Sequence, residues 1–290
     1  MYEEDWKNLF PTARVVDSET SRVDWFSFAL PDGQFLQVPK TELTDREMFL
    51  LSLLGGERKE TPTSPWFAYF HQSAPLPKPI GALQLLHVHV WNSGDQETIK
   101  SWLTMMKDLL MNTVAVFQQT QQEYIFVLDQ ELRVDIEELV RSILPVLEDD
   151  FGLKLTIFMG QIWPKQVTAI WREIFQAESA LFTSWKHYVP QPVFVRFSQL
   201  LLWIADEQIK SRVYLKSVLR ELIHSQDGLE EAILALWKEG AVVTKTAQRL
   251  YIHRNTLQYR LEKWQDLTGF QLKELTDLTV CYQAIMEQQY

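Results

Sequence analysis

The segment from Thr244 to Lys263, TKTAQRLYIHRNTLQYRLEK, decides the fold of the C-terminal part of this chain. Leu257, Leu261 and Trp264 are spaced i, i+4 and i+7, which places three apolar side chains on one face of a helix. Ala247, one helix earlier, is small enough to let two helix backbones approach where they cross. The segment therefore predicts a helix, a tight turn and a second helix.

The side of the second helix opposite this apolar stripe is polar and cationic. A helix with one dry face and one face rich in hydrogen-bonding groups suits the DNA major groove. Arg254 and Asn255 have the chemistry to contact guanine and adenine edges, with a phosphate contact or a solvated position as the alternative for each. Lys245, Arg249 and Lys263 suit phosphate oxygens. The residues that we expect at the DNA are Thr244, Lys245, Thr246, Arg249, His253, Arg254, Asn255, Thr256, Gln258, Tyr259, Arg260 and Lys263.

The charge of the chain is distributed unevenly, in a way that favours one docking face. The whole sequence carries a net charge of −10. Residues 228–290 contribute only −1 of this, from seven Lys and Arg against eight Asp and Glu. Residues 240–263 hold five cations against Glu262 alone, a net charge of +4. An acidic body with one positive segment discourages indiscriminate binding to phosphate and leaves the helix pair to dock.

Three short sequence motifs in this region resemble the C-terminal helix-turn-helix of the PucR/CdaR-type bacterial transcription regulators. They are TAQRL at 246–250, HRNTLQYRL at 253–261 and LTG at 267–269. The resemblance implies a DNA-binding regulator. One departure has a structural consequence: the family often has Gly-Asn before the first helix, where this chain has Ala241 and Val242, so the usual side-chain cap is missing.

Length and composition indicate a globular, multidomain protein. The chain has 290 residues, of which 46% are hydrophobic. Its longest apolar runs fall short of the roughly 20 residues that a membrane-spanning helix needs, and the acidic MYEEDW start does not resemble a signal peptide. The single cysteine, Cys281, has no partner for an internal disulfide and is expected to be a buried apolar residue. We therefore expect a cytoplasmic protein.

Residues 1–80 predict an N-terminal α/β region that is a possible sensor. Residues 23–38 alternate around a Pro31-Asp32-Gly33 turn, which predicts a β-hairpin. A helix is expected from Thr44 to Leu54, ended by Gly55 and Gly56. The proline-rich segment 61–79 indicates a domain edge, with a strand at Trp66–Phe70.

Residues 81–190 predict a βαββαβ middle domain followed by a long helix from Pro164. The order suggests an antiparallel sheet backed by helices on one face, and it resembles the GGDEF-like palm found in many PucR/CdaR-type regulators. Active diguanylate cyclases carry metal-binding acids on the first strand of this domain and their signature in the hairpin between the second and third strands. Here the corresponding hairpin is Gln118–Glu123, without paired acids, and the first strand carries His87 and His89. We therefore expect a degenerate domain with no catalytic residue, no metal and no cofactor. A packed histidine pair is favoured over a metal site.

The C-terminal third predicts helices only. Residues 191–225 are expected to form connecting helices at Ser198–Ala205 and Val213–His224. Residues 226–290 are expected to form the helix-turn-helix domain, opened by a capping box from Asp227 to Glu230 and closed by a helix at 275–288.

The sequence as a whole predicts an α+β multidomain protein: an α/β N-terminal region, a GGDEF-like middle domain and an all-α C-terminal helix-turn-helix domain. We expect a non-enzymatic, effector-responsive transcription regulator that binds a palindromic operator in double-stranded DNA as a homodimer, with a possible small-molecule effector and no membrane contact. The alternative is a metabolite- or nucleotide-sensing protein whose helix-turn-helix mainly mediates protein association. The +4 segment favours the first, because a protein-binding surface would more naturally be apolar.

Overall fold

The computed structural model describes residues 10, 12–16, 25–29, 35–44, 64–92, 95–186, 188, 193–204 and 209–287. Its contacts divide the chain into two units, Met1–Pro62 and Thr63–Tyr290. No helix within the described ranges is long and apolar enough to cross a membrane. The predicted boundaries at 80/81, 190/191 and 225/226 remain predictions, and residues 63–290 are described below as one unit.

The N-terminal unit contains a small antiparallel sheet. Its strands are β1 (Arg14–Val16), β2 (Trp25–Ala29) and β3 (Phe35–Pro39), in the order β1-β3-β2. Ala29 lies opposite Phe35 and Trp25 opposite Pro39, which confirms the pairing of the predicted hairpin. The predicted turn at 31–33, the helix after Thr44 and its glycine end at 55–56 lie outside the described residues. Leu36, Val38 and Leu43 form the core of this unit.

The second unit is built on a mixed sheet. Its strands are β4 (Ala82–Val90), β5 (Thr113–Thr120), β6 (Glu123–Asp129), β7 (Leu155–Met159), β8 (Trp163–Pro164) and β9 (Phe194–Arg196). The order is β5-β6-β4-β7-β9, with β8 paired to the start of β4. All pairs are antiparallel except β7 with β9. The four strands predicted between residues 81 and 160 are confirmed as β4, β5, β6 and β7, whereas the short β8 and β9 were not predicted from the sequence.

Helices pack on the sheet and continue into the C-terminal region. They are α1 (Pro65–His71), α2 (Gln96–Leu109), α3 (Glu137–Phe151), α4 (Trp171–Lys186), α5 (Phe197–Trp203), α6 (Lys210–His224), α7 (Leu229–Lys238), α8 (Val243–Arg249), α9 (Arg254–Thr268) and α10 (Leu275–Met286). A 3-10 helix at Lys165–Ile170 replaces the first turns of the long helix that we predicted from Pro164, with Val167 in a non-helical conformation.

The sheet is covered on both faces, so the prediction of helices on one face was wrong. All nine residues of β4 are buried. Leu86 and Val88 pack with Trp102 of α2, whereas Leu83 and Leu85 belong to the core that includes α4 and the C-terminal helices. A strand buried on both sides loses the polar alternation that marks a one-sided sheet. Helices α1 and α4 supply the second cover, and the C-terminal helices pack against α4 in the same core.

The predicted strand at Trp66–Phe70 is instead the helix α1. Pro65 occupies its first turn, where the missing N–H costs nothing. Trp66, Tyr69 and Phe70 are spaced i, i+3 and i+4 and are all buried. Phe70 stacks on Phe175 of α4 with ring centroids 4.3 Å apart, so packing on α4 favours the helical spacing.

The start of α7 also differs from the prediction. We expected Asp227 at the N-cap, with Glu230 completing a capping box. The N-cap is Gly228, at φ +64° and with no side-chain cap. The left-handed turn at Gly228 moves Asp227 one residue outside the helix, so its carboxylate is not at the capping position.

Candidate nucleic-acid interface

The helix pair α8 and α9 has the predicted dry interior. Leu257, Leu261 and Trp264 are 0%, 4% and 1% exposed, which confirms the apolar stripe. Ala247 is buried beside them. The main-chain N–H of Ile252 donates to the carbonyl oxygen of Ala247 at 3.1 Å, which folds the chain back between the two helices.

The turn and the helix starts are held locally. Tyr251 adopts φ +51° and its side chain is 96% exposed at the tip of the turn. His253 is the N-cap of α9, and its Nδ1 accepts a hydrogen bond from the main-chain N–H of Asn255 at 3.2 Å. His253, predicted at the DNA, therefore also fixes the first turn of the second helix. Val242 caps α8 with no side-chain hydrogen bond, which confirms the predicted missing cap.

Most residues predicted at the DNA lie on the surface. The exposed ones are Thr244, Lys245, Arg249, His253, Arg254, Asn255, Thr256, Tyr259 and Lys263, and the half-buried ones are Gln258 and Arg260. At 100° per residue, Asn255 and Tyr259 each point about 160° away from Leu257. They therefore face outward from the buried stripe. Glu262 and Asp266 add negative charge to the second half of α9, so the first half is the end better suited to enter the groove.

Thr246 is an exception among the predicted contacts. Its exposure is 0%, and its Oγ1 donates to the carbonyl oxygen of Val242 at 2.9 Å. A hydroxyl enclosed in this way has no path to a phosphate. We therefore remove Thr246 from the predicted DNA contacts and assign it to the interior of the helix pair.

Two of the five cations in the positive segment are engaged within the protein. Arg249 Nη1 lies 2.9 Å from Glu239 Oε1, and Arg260 Nη1 donates to the carbonyl oxygen of Gly228 at 3.3 Å. Lys245, Arg254 and Lys263 form no ion pair with any residue that the structure describes. These three are the cations most available to a nucleic acid.

Two side chains from far earlier in the chain contact the end of α9, and neither contact was predicted from the sequence. Arg133 donates to the carbonyl oxygens of Asp266 and Leu267. Gln161 donates to the carbonyl oxygen of Thr268. Burial lowers the pKa of Arg133, and the charges of Asp266 and Asp129 oppose that shift. No local pattern marks either residue, because each contact spans more than a hundred positions.

The histidine pair of β4 is packed, as expected. His87 lies between Phe158 and the helix α4, with its Nε2 3.6 Å from Glu178 Oε2, and both side chains are buried. His89 lies 3.9 Å from Glu123. The crevice beside His87 is too narrow to hold a water molecule. Within the described ranges, no three His, Cys, Asp or Glu side chains are placed to hold a metal ion.

Comparison with known proteins agrees with this geometry. Residues 229–286 match the PucR C-terminal helix-turn-helix domain. The Carbohydrate diacid regulator of Escherichia coli (strain K12) is 33% identical over 84 residues, which are 29% of this chain and 20% of that protein. A Leucine-rich protein of Streptococcus dysgalactiae subsp. equisimilis is 29% identical over 287 residues, covering 97% of this chain and 99% of that protein.

A solved structure, the Regulator of Polyketide Synthase Expression from Bifidobacterium adolescentis, aligns with 87% of this chain and 90% of its own. It is 15% identical, with a TM-score of 0.37. The helix-turn-helix formed by α8 and α9 lies within residues 229–286, the segment that matches the family. Residues 229–286 form a PucR C-terminal helix-turn-helix domain.

Proposed function

We propose that this chain is a bacterial transcription regulator of the PucR/CdaR type that inserts the first half of α9 into the major groove of its operator. One observation carries the proposal: Asn255 and Tyr259 face outward from the buried stripe of a matched helix-turn-helix domain. Arg254 and Thr256 lie on either side of Asn255 at the start of the helix. Arg254 and Asn255 contact base edges, and Lys245 and Lys263 hold phosphates.

Titration of an operator selected from random DNA tests these assignments. Arg254→Ala and Asn255→Ala should each cost about 1–3 kcal/mol and relax the base preference. Lys263→Ala should weaken operator and random duplex alike and reduce the salt slope by about one unit. Lys273→Ala, which removes an exposed lysine beyond the opposite end of α9, is the matched control. Equal losses on both duplexes from Arg254→Ala and Asn255→Ala would remove the base-contact assignment.

We further propose that the chain binds a palindromic operator as a homodimer. One helix-turn-helix covers only a half-site, and two-fold pairing places two recognition helices about 34 Å apart, or a multiple of that. Light scattering of the full chain should give twice the monomer mass at micromolar concentration. A footprint of one undivided half-site, bound by a monomer at full affinity, would contradict the dimer.

The middle domain is, in our proposal, a degenerate GGDEF-like domain that responds to a small molecule in a cytoplasmic protein. The βαββαβ succession from β4 to β7 supports the likeness. The hairpin turn between β5 and β6 consists of Gln121 and Gln122, and β4 carries His87 and His89 where a cyclase carries a metal-binding acid. Incubation with GTP and Mg²⁺ should yield no cyclic dinucleotide. A product lost in a hairpin variant would contradict this assignment.

One observation favours the alternative, a sensor that uses its helix-turn-helix for protein association. Tyr251 presents a large, almost fully exposed ring at the tip of the turn, and Val242, at the other end of α8, is also exposed. An interface built on these residues would be apolar, unlike the cationic face of α9. Failure of the full chain to bind any duplex, together with dissociation of an oligomer by Tyr251→Ser, would favour this function over the first.

A further inference from the structure

A group of buried glutamines lies at the end of the sheet that faces the end of α9. Gln84, Gln130 and Gln161 are 4%, 0% and 6% exposed. Gln84 lies in the central strand β4, Gln130 follows β6 and Gln161 follows β7. Glutamine is mostly a surface residue, so three buried glutamines at one end of a sheet call for a structural reason. We name this group the glutamine platform.

The platform is bonded internally through its side chains. Gln130 Nε2 donates to Gln84 Oε1 at 2.7 Å, and Gln84 Nε2 donates to the carbonyl oxygen of Gly160 at 3.0 Å. The main-chain N–H of Gln161 donates to the buried carboxylate of Glu178 at 3.0 Å. The central strand is thereby connected to the two loops that follow its neighbouring strands. Buried networks of this kind hold their members in one arrangement.

One side chain from each of these two loops donates hydrogen bonds to the end of α9. Gln130 fixes the first loop, because its Oε1 accepts from the N–H of Val134 at 2.8 Å and its carbonyl oxygen accepts from Arg133 Nη1. Arg133 Nη2 then reaches the carbonyl oxygen of Leu267 at 2.9 Å, and its Nε reaches that of Asp266. Gln161 Nε2 reaches the carbonyl oxygen of Thr268.

These bonds fall on groups that the helix itself leaves unpaired. The last four carbonyl oxygens of an α-helix have no partner within the helix. A guanidinium at that end also complements the negative end of the helix dipole. Arg133 and Gln161 thus act as side-chain caps supplied by the α+β part of the unit rather than by the helix-turn-helix domain.

We propose that Arg133 and Gln161 are positioning residues that fix the orientation of the recognition helix relative to the sheet, so that the sheet sets the fit of the first half of α9 to its operator. This inference rests on the proposed function for its consequence at DNA. The caps themselves are a property of the protein alone. The two parts are therefore tested by separate measurements.

Amide hydrogen exchange of the full chain without DNA tests the caps. In Arg133→Met and Gln161→Met, which remove the donors and keep an unbranched apolar side chain, exchange of the amides of residues 264–270 should accelerate about tenfold or more. Arg133→Lys keeps the charge but loses the fork that spans two carbonyls, so it should give an intermediate acceleration.

The matched control is Arg172→Met. Arg172 also donates to two main-chain oxygens, those of Tyr69 at 2.7 Å and Ala74 at 3.0 Å, but it lies away from α9. It should accelerate exchange near residues 69–74 and leave residues 264–270 unchanged. Unchanged exchange at 264–270 in both cap variants, or equal acceleration in Arg172→Met, would overturn the capping role.

Titration of DNA with the same variants tests the consequence. Arg133→Met and Gln161→Met should weaken operator binding about fivefold to tenfold, leave random duplex unaffected and keep the salt slope, since no phosphate contact is removed. A parallel loss on both duplexes would overturn the positioning role. If the unmodified chain binds no DNA, the proposed function fails, and the exchange result alone decides whether the caps exist.

Discussion

Replacing Gly269 by alanine probes the contact between the end of α9 and the sheet. Gly269 closes α9 at φ +80°, and a Cβ built on it would lie 2.9 Å from Ile162 Cδ1. Gly152 closes α3 at φ +62° with nothing within 4 Å of a Cβ, so it is a matched control with the backbone cost alone.

Both substitutions place an alanine in the left-handed region, but only Gly269→Ala also displaces Ile162. An alanine in the left-handed region costs about 1–2 kcal/mol, and the smaller freedom of alanine in the unfolded chain returns about 0.5–1 kcal/mol of this. Gly152→Ala should therefore lower the free energy of unfolding by about 1 kcal/mol. Gly269→Ala adds the displacement of Ile162 from its rotamer, about 0.5–1.5 kcal/mol, for a total of about 2 kcal/mol.

A double-mutant cycle separates the contact from the backbone term. Ile162→Val removes Cδ1 and leaves Cγ1, which is 3.6 Å from the added Cβ and in ordinary contact. Alone it should cost about 0.5–1.5 kcal/mol. Combined with Gly269→Ala it should restore about 0.5–1.5 kcal/mol relative to the sum of the two single changes. Urea unfolding followed by circular dichroism gives all four values. Strict additivity, or equal losses at Gly269 and Gly152, would refute the close approach of α9 to Ile162.

Three further predictions concern the same domain. Thr246→Val should change the free energy of unfolding by less than about 1 kcal/mol and leave operator affinity within twofold in a fluorescence titration. A large loss of affinity without a loss of stability would return Thr246 to the DNA contacts. Leu257→Ala should lower the free energy of unfolding by about 2–5 kcal/mol, because it empties a fully buried site between α8 and α9, and urea unfolding measures this loss. Burial raises the pKa of Asp277, an effect only partly opposed by hydrogen bonds from Gln271 and Ser198 and by the charge of Arg196. Its contribution to stability is therefore present below the unfolded pKa of about 3.9 and is lost as pH rises through the folded value. In urea unfolding from pH 4 upward, Asp277→Asn should lack this decline, and parallel profiles for the two proteins would contradict it.

The parts of the interface that the sequence predicted are those determined by local spacing. The stripe of Leu257, Leu261 and Trp264 follows from helical periodicity alone, and the structure buries all three. The missing cap at Val242 could likewise be predicted, since a valine side chain offers no acceptor. Both depend on residues no more than about two helical turns apart, where sequence spacing and spatial distance correspond.

Two predictions were wrong, one where a short segment is compatible with both a strand and a helix, and one where a glycine changes the backbone direction. Five residues rich in aromatics at Trp66–Phe70 fit a strand by propensity, and Pro65 in the first turn together with packing of Phe70 against Phe175 favours the helix. The predicted capping box at Asp227 is absent because Gly228 adopts a left-handed conformation. Glycine can adopt this conformation in many sequences, so the local pattern does not reveal it. In both places tertiary contacts or a glycine overrode the local pattern.

The two halves of α9 are consequently specified by different parts of the chain. The first half is determined by its own sequence, through the His253 cap and the exposed line of Asn255 and Tyr259. The second half ends on carbonyl oxygens held by Arg133 and Gln161, which lie on loops of the sheet. A fragment limited to residues 226–290 would keep every side chain assigned to the DNA yet lose those caps. In our proposal, the chemistry that contacts the operator is therefore encoded in the helix-turn-helix domain, whereas the angle at which it is presented is encoded in the sheet.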